Sequence, residues 1–202
     1  TVAAITQRVP SREMVGTQSF SAKPGQVVDI NKLVHYLVES GFSRTSTVRE
    51  PGEFAQRGGI IDIFPPGRSL PIRLDFFGDT LESIRLFDEE TQKTVGTETQ
   101  FDLIAAGEVH LDAVSIKRFR QGYIQTFGGG AISDPVYENV SSGARHQGME
   151  HWLPLFHNKL ETLFDHINPE ALVFSDPQTG EAIDERWEQI EEYYQARLDA
   201  LN

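Results

Sequence analysis

Ile30, Leu33, Val34, Leu37 and Val38 recur at three- and four-residue spacing, the period of one helix face. Asp29 stands where an N-cap is wanted and Gly41 where a left-handed C-terminal cap is wanted, which predicts a helix from Ile30 to Ser40. Ahead of it, Thr17 to Gln26 is polar, holds the turn signal Lys23-Pro24-Gly25, and reads as a connector. Behind it the period falls to two. Arg44 to Arg49, Glu53 to Gln56, Gly59 to Phe64, Ile72 to Phe77 and Thr80 to Phe87 have strand character, separated by Pro51-Gly52, Pro65-Pro66-Gly67-Arg68 and Gly78-Asp79. Strands this close, joined by tight turns, are expected to pair antiparallel. One helix on such a sheet makes an α+β module of about 90 residues ending near Gly107.

From Leu111 the pattern turns helical. Val114, Ile116, Phe119 and Tyr123 mark one helix, ended by Gly128-Gly129-Gly130, and Val136 to Val140 a short one after Asp134-Pro135. Ala171-Leu172-Val173-Phe174 predicts a buried parallel strand, bounded by Pro169 and Asp176-Pro177. The last helix carries an apolar stripe of Ile183, Trp187, Ile190, Tyr194, Leu198 and Leu201 opposite a face of acids. This half is expected to be part of an α/β domain whose other strands the chain does not hold. The apolar opening Val2-Ala3-Ala4-Ile5 fits a piece cut from something longer.

One strand stands apart. Alternation puts Ile72, Leu74 and Phe76 on one face, an ordinary core set, and Arg73, Asp75 and Phe77 on the other. An aromatic among charges on the side facing water is the composition of a protein-binding hot spot. Arg57-Gly58-Gly59 adds to it. Two glycines at a strand start imply a bulge or a close backbone approach, and a bulge would aim Arg57 outward.

Charge and composition narrow the chemistry. The chain has 18 Lys and Arg against 30 Asp and Glu, a net charge of −12, which argues against nucleic acid as its main partner. The surplus of acids is uneven: residues 1–43 hold four basic and three acidic residues, residues 181–202 two and seven. Cysteine is absent, so there is no disulfide framework or thiolate metal site, and a reducing, cytoplasmic setting fits. No apolar run reaches the roughly 20 residues a bilayer span needs, so no membrane partner is expected. Neither a G-x-x-x-x-G-K-[ST] nor a G-x-G-x-x-G phosphate loop occurs, and glycines 128–130 read as a turn. Pro154 breaks the helical register that would bring His151 and His157 to one face. Ser133 and Ser175 have no adjacent histidine, and Ser141-Ser142-Gly143 resembles a helix exit rather than a nucleophile elbow. Glu82, Asp88, Glu89 and Glu90 read as a solvated strand end and turn. No catalytic residue, cofactor or metal ligand is expected in this chain.

The run from Glu53 to Pro66, continued by Pro71 to Asp79 and Glu82 to Asp88, resembles the UvrB-interaction-type module shared by UvrB and the bacterial transcription-repair coupling factor. Gly148-Met149-Glu150-His151-Trp152-Leu153-Pro154-Leu155-Phe156 is similar to a Gly-x-Glu-x-Trp-x-Pro-Leu-Phe segment of the coupling factor, and Gln7-Arg8-Val9-Pro10 fits the N-terminal region of that family. The resemblance implies three parts: residues 1–16 as the tail of a first UvrB-like subdomain, 17–107 as the α+β module, and 108–202 as a degenerate, helicase-like α/β subdomain. It implies that the module binds UvrA. In the family that contact falls on the arginine opening an R-G-x-x-x-[DE]-x-F strand and on the arginine and second phenylalanine of R-[LI]-[DE]-F-F, which are here Arg57, Arg73 and Phe77.

Whole coupling factors of the family are ATP-dependent DNA translocases that displace stalled RNA polymerase and recruit nucleotide excision repair. The motor motifs and the polymerase-binding module are not in this chain, so it is expected to be no enzyme, and DNA and RNA polymerase to be met through other regions. The resemblance also implies that the C-terminal part of the full-length protein covers the UvrA site by intramolecular contact. Each arginine is then expected to form a bidentate pair with an acid of UvrA. Phe77→Ala and Arg73→Ala are expected to weaken binding with the module still folded. The competing reading is a DNA-handling fragment of UvrB itself, against which stand the acidic balance and the lack of an aromatic-rich β-hairpin.

Overall fold

The computed structural model describes residues 1–17 and 19–200, without the side chains of Ala131, Arg197, Leu198 and Ala200. The chain begins with α1 (Val2–Thr6), β1 (Val9–Pro10), α2 (Arg12–Thr17), β2 (Phe20–Ala22), α3 (Ile30–Glu39) and β3 (Ser43–Arg44). Then come β4 (Glu53–Arg57), β5 (Ile60–Ile63), β6 (Ile72–Phe77), β7 (Thr80–Phe87), β8 (Thr94–Glu98) and β9 (Phe101–Leu103). The remainder holds α4 (Ala113–Phe127), α5 (Pro135–Ser141), α6 (Leu153–Phe156), β10 (Leu160–Glu161), α7 (Leu163–His166) and α8 (Thr179–Ala200). The fold is α+β. It divides into a larger unit, Glu13–Asn158, and a smaller one of Thr1–Arg12 with the chain from Lys159 onward.

In the larger unit α3 starts as the sequence predicts. The Asp29 carboxylate accepts the backbone N–H groups of Asn31 and Lys32 at 2.9 and 3.1 Å, and Gly41 leaves the helix at φ +93°. Leu33 and Leu37 on its inner face are fully buried against a six-stranded sheet of order β3-β4-β5-β6-β7-β8. Phe54, Ile61, Ile72, Leu74 and Leu81 meet them from the sheet, all without exposure. Two hairpins use two-residue loops, Gly58–Gly59 and Gly78–Asp79, which pair Arg57 with Ile60 and Phe77 with Thr80. Gly59 is a close approach rather than a bulge, because a Cβ there would lie 2.7 Å from the carbonyl oxygen of Phe76. The bulge sits instead in β7: Ser83 opposes Asp75 while Leu81 opposes Phe76, leaving Glu82 as the extra residue.

Three strand expectations need correction. Of the expected Arg44–Arg49 strand only Arg44 pairs, together with Ser43 before it, and the two run parallel to β4, not antiparallel. The chain then loops away, with the Glu53 carboxylate accepting the N–H groups of Arg49 and Glu50 and with Val48 buried. The polar connector contains a strand after all, since β2 pairs antiparallel with β9. The Ala171–Phe174 segment forms no strand, and Leu172, Val173 and Phe174 are exposed. A strand takes its hydrogen bonds from a neighbour, and among the described residues none borders this segment.

The helices of the larger unit pack through aromatics, with Phe119 of α4 stacked on Phe156 of α6 at 4.8 Å. Asp112 caps α4, and Asp134 caps α5 ahead of Pro135. Arg145 ties this layer to the sheet module by donating to the carbonyls of Glu39 and Val109, both at 2.8 Å. In the smaller unit β1 pairs antiparallel with β10, and α8 keeps Ile183 and Ile190 half-buried with Trp187 and Tyr194 exposed. Leu201 of the expected stripe lies outside the described residues, as does the side chain of Leu198.

Candidate protein-interaction face

The alternation that sends Phe54, Ile61, Leu74 and Ile84 toward α3 sends their neighbours to the opposite face of the sheet. Cross-strand register arranges these in rows. Ala55, Asp62, Arg73, Arg85 and Thr97 form one row across β4 to β8, and Arg57, Ile60, Asp75 and Ser83 the next. Phe77 and Thr80 close the hairpin beyond them. Within the first row Ala55 joins Val48, Phe64 and Phe87 in a small buried apolar cluster.

Asp62 organises the charges. Its side chain is fully buried and accepts Arg73 Nε at 2.6 Å and Nη2 at 2.9 Å, while Arg57 Nη2 donates to the same carboxylate. A buried carboxylate costs several kcal/mol unless it is paired and hydrogen-bonded, and here two guanidinium forks meet that requirement. The hydrogen bond to Asp62 pushes the Arg73 pKa further up, against the opposing effect of desolvation. Arg73 also lies over the Phe87 ring at 4.6 Å, a cation–π contact, and its Nη1 donates to the Gln92 carbonyl oxygen at 3.4 Å. The neighbouring Asp75 accepts Arg85 Nε and Ser83 Oγ, each at 2.7 Å. Burial works to raise the Asp75 pKa, but those two hydrogen bonds with the charges of Arg85 and Arg73 carry it below the ordinary carboxylate value.

The three residues named from sequence thus share one face. Their states differ. Phe77 is 77% exposed, the Arg57 side chain 51%, and the Arg73 side chain 14%. Arg73 is therefore no free charge, and removing it would strip Asp62 of two of its hydrogen bonds. Arg73→Ala is therefore expected to lower the stability of the module as well as to weaken binding. Asp62 itself was missed. Its signal lay in the hairpin: a two-residue loop at Gly58–Gly59 sets Ala55 opposite Asp62, on the face away from Ile61 and Ile63.

The other candidates fall into structural places. Gly128 ends α4 at φ +79°, and Gly129 and Gly130 enter a 3-10 turn. His151 is exposed, whereas His157 is buried with its Nε2 2.9 Å from the Glu108 carbonyl oxygen. Burial pushes the His157 pKa down. Asp88 is the anchor of a turn, accepting the N–H and hydroxyl of Thr91 at 2.7 Å each.

Residues 20–108 match the UvrB interaction domain family. Over 99% of its length the chain is 34% identical to the transcription-repair-coupling factor of Haemophilus influenzae, over 97% it is 32% identical to that of Rickettsia bellii, and over 85% it is 34% identical to that of Escherichia coli. It spans 18%, 17% and 15% of these relatives, respectively. With its sheet module matched by one family and nearly all of its length aligned to these proteins, the chain belongs to the transcription-repair-coupling factor family, as a segment built around a UvrB interaction domain.

Proposed function

We propose that the outer sheet face binds UvrA, and that the chain is the protein-interaction region through which a transcription-repair-coupling factor brings nucleotide excision repair to stalled RNA polymerase in the cytoplasm. The observation that carries this reading is Phe77: a phenylalanine left 77% exposed on a face where Val48, Phe64 and Phe87 are buried. Apolar anchors of this kind supply most of the binding energy of a protein interface, and the surrounding charges set its specificity. Half-exposed Arg57 offers the remaining edge of its guanidinium to an acid on UvrA, while Asp62 holds it in place. Arg73 contributes by fixing Asp62 and through the little of its fork that reaches solvent. Nucleotide hydrolysis, movement on DNA and polymerase contact belong to other regions of the whole protein, and so does the part that covers this face at rest.

Titration of purified UvrA onto the chain tests the reading. Phe77→Ala is expected to weaken binding by roughly 30-fold, about 2 kcal/mol, with thermal unfolding unchanged. Arg57→Ala is expected to cost less and mainly to slow association. Parent-like UvrA binding by the Phe77 variant would sink the reading.

A further inference from the structure

We infer that Val27 is a second apolar anchor of the same interface, contributed by a segment far from the strand motifs. This rests on the UvrA-binding reading and extends the contact surface it assigns.

Residues 25–28 run along the first half of β7, where β8 does not reach. Val27 forms an antiparallel bridge with Thr80, with Val28 N–H donating to the Asp79 carbonyl at 2.7 Å and Leu81 N–H to the Gln26 carbonyl at 3.0 Å. In that pattern Val27 and Thr80 are a non-hydrogen-bonded pair, whose side chains sit closest together and on one side. Thr80 in turn is paired with Phe77 across the hairpin. Phe77, Thr80 and Val27 therefore form a single row, with Phe77 and Val27 roughly 10 Å apart. Their chain neighbours confirm the direction. Val28 and Leu81 are buried in the core and Phe76 packs against it, so the row points away from the core.

Val27 is 78% exposed, matching Phe77 at 77%. A lone exposed apolar residue is ordinary, but two abreast, held by backbone pairing and continuous with the charged rows, make an apolar rim to that face. The occupant this geometry fits is the UvrA surface that meets Phe77, apolar at this end and acidic toward Arg57.

The test is UvrA titration with Val27→Ser, with Val27→Thr to keep the β-branched shape that holds residues 25–28 in place, and with Val95→Ser as an exposed control on β8. Expected are affinities about tenfold weaker for Val27→Ser, weaker to a smaller degree for Val27→Thr, and unchanged for Val95→Ser, all with parent-like unfolding. If Phe77→Ala loses binding while both Val27 variants keep it, the Val27 assignment is overturned and the function stands. Equal losses at Val27 and Val95 also overturn it, since they report general stickiness. If the parent chain does not bind UvrA, or Phe77→Ala binds as well as the parent, the underlying reading falls and takes Val27 with it.

Discussion

The two faces of the six-stranded sheet come from the same alternating strands and end in opposite chemistry. Toward α3 the faces of Phe54, Ile61, Ile72 and Leu74 close completely, and the driving force is removal of apolar area from water. On the other side a small apolar cluster is buried, and beside it two carboxylates, Asp62 and Asp75, hold three guanidiniums, Arg57, Arg73 and Arg85. A face of the first kind has nothing left to offer a partner. The second kind pairs its charges internally and leaves Phe77, Val27 and one edge of the half-exposed Arg57 guanidinium open to solvent. Covered Arg73 and Asp62 hold the platform, while Phe77 and the half-exposed Arg57 stay accessible.

Substitutions on the two faces are expected to differ in size. The largest effect belongs to the closed face: Phe54→Ala is expected to destabilise the chain by about 4 kcal/mol, measured by denaturant unfolding. Asp62→Ala, on the open face, is expected to cost about 3 kcal/mol, because Arg73 would stay largely buried without its partner. Should Asp62→Ala prove as mild as a surface substitution, within about 0.5 kcal/mol, the platform would not depend on that clamp.

The smallest effect concerns pH. The folded Asp75 carboxyl has a lowered pKa, so the stability it contributes is present above the unfolded carboxylate value, about 3.9, and is lost as pH falls through the folded value. Acid unfolding of the parent below the unfolded carboxylate value should therefore be steeper than that of Asp75→Asn. Identical acid profiles would mean that Arg85 and Ser83 do not hold the ionised form.

Much of the sheet module was legible beforehand. The helix from Ile30, capped by Asp29 and ended at Gly41, follows from local spacing, and so do β6, β7 and the side each residue of Ile72–Phe77 takes. The short elements were not. Three residues such as Phe101–Leu103 are too few to show a period, and Thr94–Glu98 is too polar to suggest a strand. Ala171–Phe174 shows the converse error, an apolar run that has strand composition without a neighbouring strand to pair with among the described residues. At the site, Arg57, Arg73 and Phe77 were visible as a motif resemblance, but nothing local distinguished the half-exposed arginine from the covered one.

What the sequence alone determined is set by backbone geometry within a few residues: which side chains share a helix stripe or a strand face, and where the chain turns. What the tertiary structure decided depends on segments distant along the chain. Burial of Arg73 needs Asp62, Phe87 and Gln92 to converge on it, and the placement of Val27 beside Thr80 needs the chain to return across more than fifty residues. Periodicity is a local property of the peptide backbone, whereas which face stays open is chosen only when the whole sheet has paired.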